Sequence, residues 1–272
     1  MSTATVDAPS RTLTPVRRSW ISDVRLVMTR ELRPVAREPF SVVFGLIQPL
    51  VFLGLFGPLL VGSVGESGGL SSADVWQWFV PSILVMTTLF GTSTTGSNLQ
   101  FEMQTGAHER LLVTPLSRSS QLVGRSLKEM VPLAAQAAVI VAVMTPFSFE
   151  LHVAGAVLGL ALLAVFGVGL GSFSYALAIA VRRQDWMFWA VQQTLLFPLM
   201  ILSGMLLPLE TGPGWMRAVA VANPLAYIVD AERALFAGEI ASATVAWGWV
   251  AALATAAVGL GVGIRGMVRS AE

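Results

Sequence analysis

The sequence predicts an all-α, polytopic membrane protein, and three observations carry that prediction. Only 12% of the 272 residues are charged, against 54% hydrophobic. A water-soluble domain carries roughly 25% charged residues to hydrate its surface, so about half of that polar cover is missing. The mean hydropathy is +0.71. The charges are also clustered, leaving six charge-free stretches at 40–65, 75–101, 130–149, 151–181, 186–209 and 240–264, each at least 20 residues long. About 20 apolar residues wound as a helix cross a hydrocarbon core roughly 30 Å thick. A helix also satisfies its own backbone where lipid offers no partner. Six transmembrane helices follow.

The first apolar run begins at residue 40, behind seven arginines. A signal peptide would start nearer the terminus, so this run reads as a retained membrane helix. Ahead of it, residues 19–37 (SWISDVRLVMTRELRPVAR) pattern as an amphipathic helix. Trp20, Ile21, Val24, Val27, Met28 and Val35 recur at three- and four-residue steps, and Arg25, Arg30, Arg33 and Arg37 take much of the rest. Ser19 suits the N-cap and Pro34 should kink or end the helix. A basic helix with a Trp-bearing apolar face suits the cytoplasmic membrane surface, either as a simple anchor or as a moving lever.

Span one holds Gln48-Pro49 and Phe52. Span two is polar at its inner end, where Thr87, Thr88, Thr92, Ser93, Thr94, Thr95, Ser97 and Asn98 fall within twelve positions. Small hydroxyl residues let membrane helices approach closely, which explains them better than a substrate lining does. Gly155, Gly159, Gly167 and Gly171 in span four follow the same logic. Span five carries Gln192, Gln193, Phe197 and Pro198. A buried amide needs a partner, so these glutamines and Gln48 are candidates for a substrate path or a subunit interface. Trp186 and Trp189 fit an interfacial aromatic belt. Between spans five and six, Asn223-Pro224 splits residues 208–240 into two short helices. These sit at the outer interface or dip into the outer leaflet, where protein or water must cover irregular backbone.

Arg and Lys placement sets the orientation. Segments 1–39, 102–129, 182–185 and 265–272 hold 7, 4, 2 and 2 of them, whereas the opposite side holds only Arg217 and Arg233. Basic loops stay inside, so both termini are cytoplasmic. The chain divides into a cytoplasmic segment (1–39), a six-helix membrane domain (40–265) and a cytoplasmic tail (266–272).

Several functions drop out. With no cysteine there is no disulfide framework, thiolate zinc site or cysteine nucleophile. His108 and His152 are the only histidines, too few for a multi-histidine metal site. A net charge of +1 gives no reason to expect nucleic acid. The spans hold no Asp, Glu, Lys or Arg, and His152 lies at an outer helix end, which disfavours ion-coupled transport and intramembrane catalysis. The chain lacks a G-x-x-x-x-G-K-[ST] loop, so any ATP would be hydrolysed by a separate chain.

The cytoplasmic loop after span two holds the other signal. Gly106 breaks the helix, His108 to Val113 has the length of a short helix, and Thr114-Pro115 stops it. Leu111 and Leu112, flanked by Glu109 and Arg110, then either dock into a partner groove or pack locally. The run from Gly106 through Ala107, His108, Glu109, Arg110, Leu111, Leu112, Val113, Thr114, Pro115, Leu116 and Ser117 to Arg118 resembles the G-T-x-E-x-L-L-V-T-P-x-S-R block of ATP-binding-cassette type-2 exporter permeases, close to the daunorubicin-resistance type. A second stretch, from Ser203-Gly204 through Pro208, Pro213, Trp215, Asn223-Pro224-Leu225 and Arg233 to Gly238, is similar to that family's outer pattern. Ala107 departs from the usual Thr, and Gln104 stands where an acidic residue is common.

The resemblance covers about residues 20–268 and implies a coupling helix within 101–115, received by a separate ATPase. Gly106, His108, Glu109, Arg110, Leu111, Leu112, Thr114 and Pro115 would carry the contact. It also implies an interfacial connecting helix at 19–37, re-entrant outer helices at 208–240, and a complex of two ATP-binding subunits with two permeases. The second permease would be a copy or a paralogue, with spans one and five near the interface. The expected activity is ATP-driven export of an amphipathic or hydrophobic compound across the cytoplasmic membrane. Export of a lipid or lipid-linked glycan is the second expectation. ATP and Mg would sit on the partner, and membrane lipid would surround this chain.

Overall fold

Hydrophobic runs and caps together decide where each helix begins. The computed structural model describes residues 19–37, 39–65, 71–106, 116–144, 146, 149–182, 184–209 and 212–269. Among the described residues all regular structure is helical. α1 (Trp20–Arg37) leads into α2 (Pro39–Leu60), which ends in a wider turn at Val61–Gly65. α3 (Ser72–Gln104) is 33 residues long, longer than its charge-free stretch. Ser71 and Asp74 start it with a reciprocal capping box: the Ser71 hydroxyl accepts from the Asp74 amide, and the Asp74 carboxylate accepts from the Ser71 amide.

α4 (Arg118–Lys128) and α5 (Met130–Met144) come next, then α6 (Val153–Ala180) and α7 (Asp185–Ile201). Two short helices, α8 (Gly214–Ala220) and α9 (Pro224–Phe236), precede the long α10 (Ala243–Arg269). α3 and α6 are the central pair, with Phe79, Val80, Ile83, Leu84, Leu162, Leu163 and Phe166 buried in the core they share. α10 and α9 pack on their flank.

Five helical segments are long and apolar enough to cross a membrane: Val43–Ser63, Ser72–Gln104, Arg118–Met144, Val153–Ala180 and Ala243–Arg269. The apolar stretch 186–209 forms a shorter helix than a full span, because the chain turns at Leu202–Gly204 and Gly204 takes a left-handed φ of +72°. The stretch at 130–149 is likewise not one helix of its own. Its helix ends at Met144, and the crossing gains length from the polar α4 before it.

The small-residue logic holds at each glycine of α6 singled out above. Gly155 abuts the Leu235 backbone, Gly159 the Glu232 carboxylate, Gly167 the methyls of Met130 and Thr92, and Gly171 the Ser126 hydroxyl. A β-carbon at any of these positions would meet those atoms. In α3, Thr87, Thr88, Thr92 and Ser93 return their hydroxyls to carbonyls one turn back. Ser174 bonds across the helix pair, donating to the Ser93 carbonyl at 2.8 Å and accepting from the Gly96 amide at 3.1 Å.

Candidate functional site

Three constellations stand out. The first is a charged junction at the helix ends where α1 and α4 meet. α4 lies against α1, with Gly124 on Val24 and Val27 and the Trp20 indole donating to Ser119 Oγ at 3.0 Å. Arg125 is buried yet reaches Glu102 at the end of α3 and Glu31 of α1, the latter at 3.7 Å. Its guanidinium also lies 5.6 Å from the Tyr175 ring centroid on α6. Lys128 sits 3.6 Å from both Glu31 and Glu129. Arg118 donates to the Met267 carbonyl near the end of α10. Buried cations are stable only with such partners, so α1, α3, α6 and α10 are all tied to α4.

The segment expected from the sequence to contact an ATPase is flanked by this junction. Gly106 ends α3 with φ +70°, after Thr105 bonds back to Phe101. His108, Glu109, Arg110, Leu111, Leu112, Thr114 and Pro115 lie outside the described residues. The chain returns at Leu116, and Ser117 caps α4 by accepting from the Ser120 amide. Beside the junction a cavity of about 620 Å³ opens between α1, α2, α3 and α5, walled by Thr88, Gly91, Asn98, Lys128 and Gln136 among others. Some hydroxyls of span two thus line a cavity as well as pack.

The second is an apolar cavity of about 380 Å³ behind α7, lined by Phe166, Leu170, Phe173, Leu196 and Leu225. Gln192 projects from α7 into its wall, 7% exposed, and its Oε1 has no hydrogen-bond partner among the described residues. The neighbouring polar groups are satisfied: Ser93 and Thr255 by carbonyls one turn back, and Asn223 by the Leu199 carbonyl and Leu225 amide. The other candidates of spans one and five do not converge there. Gln48, Gln193 and Phe197 are exposed, and Phe52 is half-buried, stacked on Phe56 with centroids 5.2 Å apart.

The third is the short-helix pair α8 and α9, where the sequence motif becomes a set of contacts. Asn223 caps α9, its Oδ1 accepting from Leu225, and its amide donates to Leu199 at 2.8 Å. Arg233 donates to the Gly204 carbonyl at 2.9 Å, Ser82 Oγ at 2.9 Å and the Trp78 carbonyl at 3.2 Å. Its guanidinium stacks 3.8 Å from the Trp78 ring centroid. Gly238, φ +86°, leaves room for His152, whose ring meets the Phe236 carbonyl at 3.0 Å. Gln77 completes the clamp, donating to Phe236 at 2.7 Å.

Glu232 is the residue here that sequence reasoning misses. Charge accounting by span treats it as a loop charge, yet it is 0% exposed and packed on Gly159 of α6. Both of its oxygens lack a hydrogen-bond partner among the described residues. Burial pushes its carboxyl up to about 8. The accounting fails because a short helix between spans carries the residue inward.

Residues 22–237 match the family model described as "ABC-2 type transporter". The chain is 25% identical over 226 residues to the daunorubicin resistance ABC transporter permease protein DrrB1 of Streptomyces coeruleorubidus, covering 82% of this chain and 78% of the relative. It is 25% identical over 189 residues to the "Probable multidrug ABC transporter permease YbhR" of Escherichia coli strain K12, covering 68% of this chain and 50% of the relative. It is 23% identical over 227 residues to the "Probable doxorubicin resistance ABC transporter permease protein DrrC" of Mycobacterium tuberculosis, covering 81% and 79%. With the match spanning the junction, the central helices and the short-helix pair, the chain belongs to the ABC-2 type transporter family as a multi-pass permease, the transporting rather than the catalytic subunit.

Proposed function

We propose that the chain exports an amphipathic or hydrophobic compound across the cytoplasmic membrane, driven by ATP hydrolysed with Mg on two partner subunits. A second permease, a copy or a paralogue, completes the complex. Six crossings with both termini inside follow from the Arg and Lys distribution, α7 serving as the shorter fifth. α8 and α9 are the re-entrant pair. The cargo class rests on one observation: an apolar cavity of about 380 Å³ whose wall presents an unpartnered amide oxygen, Gln192 Oε1. Such a site suits an apolar body carrying one hydrogen-bond donor. Two relatives carry daunorubicin or doxorubicin resistance in their names, which supports a drug-like cargo.

The mechanical reading places Glu109, Arg110, Leu111 and Leu112 in the ATPase groove. A push there reaches α3 through Gly106 and α4 through Ser117. α4 then passes it to α1 by way of Gly124 and the Glu31 ion pairs. Affinity purification in mild detergent from native membranes tests this reading. The expected result is co-purification of a nucleotide-binding ATPase, lost when both Leu111→Asp and Leu112→Asp are introduced while membrane insertion persists. Recovery of the permease alone, under conditions preserving other complexes, overturns the ATP-driven reading.

A further inference from the structure

The export reading leaves Glu232 unused. Its Oε2 occupies the gap that Gly159 leaves on α6, about 9 Å along that helix from Val153 at 1.5 Å per residue. On either side α9 is seated by equally small gaps. Gly155 accepts the Leu235 backbone and Gly248 of α10 accepts Ala231. The side chain is therefore clamped between helices, with no room for a hydrated counter-ion.

An ionised carboxylate in such a place needs a cation or several donors. The elements packed on α9 supply neither. α3 has no ionisable residue between 75 and 101, α10 has none between 243 and 264, and α6 has only Tyr175, sixteen residues beyond Gly159. The charged groups of the outer end are engaged elsewhere. Arg233 turns to Trp78, Ser82, Gly204 and Asp230, and Asp74 holds the Ser71 amide. The His152 ring meets the Phe236 carbonyl. Glu150 and Glu239 are exposed beyond the helix ends, and Arg217 belongs to α8.

We propose that Glu232 is a proton-binding site, neutral while α9 is seated between α6 and α10 and ionised when α9 swings out to water. On release the O–H bond breaks, the electron pair stays on the carboxylate and the proton leaves to outer water. Reseating takes one proton back. A metal ion is a poor alternative ligand, since hard cations need six or more oxygens and this site supplies two. The inference rests on the outer placement of α9 and is independent of the cargo.

The sign follows from linkage. The seated form binds more protons than the released form at pH values between the ordinary glutamate range and the raised seated value. Across that window each pH unit lowers the seated-to-released ratio up to about tenfold, and above it the ratio levels off. A neutral isostere removes the slope.

The test uses the full chain in lipid nanodiscs, as wild type, E232Q and E232L. Infrared spectroscopy should find a protonated-carboxyl band at pH 7 that titrates away towards pH 9.5 and is absent from both variants. Labelling of an Ala226→Cys probe by a polar thiol reagent should rise with pH more steeply in the wild-type background than with E232Q or E232L, which share the reagent's own pH dependence. A wild-type infrared spectrum with no such band at pH 7 overturns the proposal. So does a labelling profile that is the same in all three backgrounds. Both readouts work without ATPase or cargo, so failure of export leaves them interpretable.

Discussion

Arg233 and Glu232 are neighbours in sequence with opposite fates. Arg233 reaches carbonyls of two separate segments and the face of Trp78, so its charge is spread over good acceptors. Glu232 faces glycine and has no donor to accept from among the described residues. Helical geometry turns adjacent residues about 100° apart, which puts one on the seam towards α3 and the other on the seam towards α6. Removing Arg233 should strand the Gly204 carbonyl and unstack Trp78, at a cost of roughly 3 kcal/mol for charge-assisted bonds at a partly buried site. Arg233→Ala should lower the Tm in detergent by about 6–12 °C on the usual scaling for chains of this size. Arg233→Lys should recover only part of that, because an ammonium cannot stack and fork at once. A Tm equal to wild type for Arg233→Ala would mean that the clamp on α9 is held by Asn223 and Gln77 alone.

At the scale of elements, α4 is the hub. It is polar in sequence yet largely buried, because Glu31 and Glu102, far away in the chain, neutralise Arg125 and Lys128. Gly124 permits the close approach, its missing β-carbon facing Val27 and the Val24 carbonyl at about 3 Å. Gly124→Leu should overpack this contact at a cost of about 1–3 kcal/mol and loosen α1 without disturbing the spans. Limited trypsin digestion should then cut at Arg25 or Arg30 severalfold faster than in wild type. Unchanged cutting would place the strength of the junction in the ion pairs instead. The contrast explains what was legible in the sequence. A span announces itself because hydrocarbon thickness demands an uninterrupted apolar run, and Asn223-Pro224 announces a helix start through its own cap chemistry. α4 and Glu232 are silent because burial there depends on partners far off in the chain, such as Gly159 for Glu232 and Glu31 for Arg125. The Gln192 cavity is intermediate: an amide in an apolar run signals a buried need, and only the packing shows what it faces.

At the scale of the whole molecule, everything turns on whether α7 crosses. Its 17 residues span about 26 Å, a little short of a typical hydrocarbon core. Its exposed face is strongly apolar, with Trp186, Trp189, Leu195, Phe197 and Ile201 open in the single chain, and Trp186 and Trp189 sit at the end where an aromatic belt belongs. The alternative, an in-plane α7, would put α8, α9 and Arg233 on the cytoplasmic side and force the C-terminus out. The natural chain has no cysteine, so single substitutions report side without background. With six crossings, Ser67→Cys, Ser148→Cys and Gly212→Cys should react with a membrane-impermeant thiol reagent in intact cells. Gln104→Cys, Gln184→Cys and Ser270→Cys should react only after permeabilisation. Gly212→Cys and Ser270→Cys decide the matter together, since a non-crossing α7 shields the first and exposes the second. The same result fixes the side on which Glu232 exchanges its proton, because only the short α8 separates α7 from α9 and no crossing intervenes.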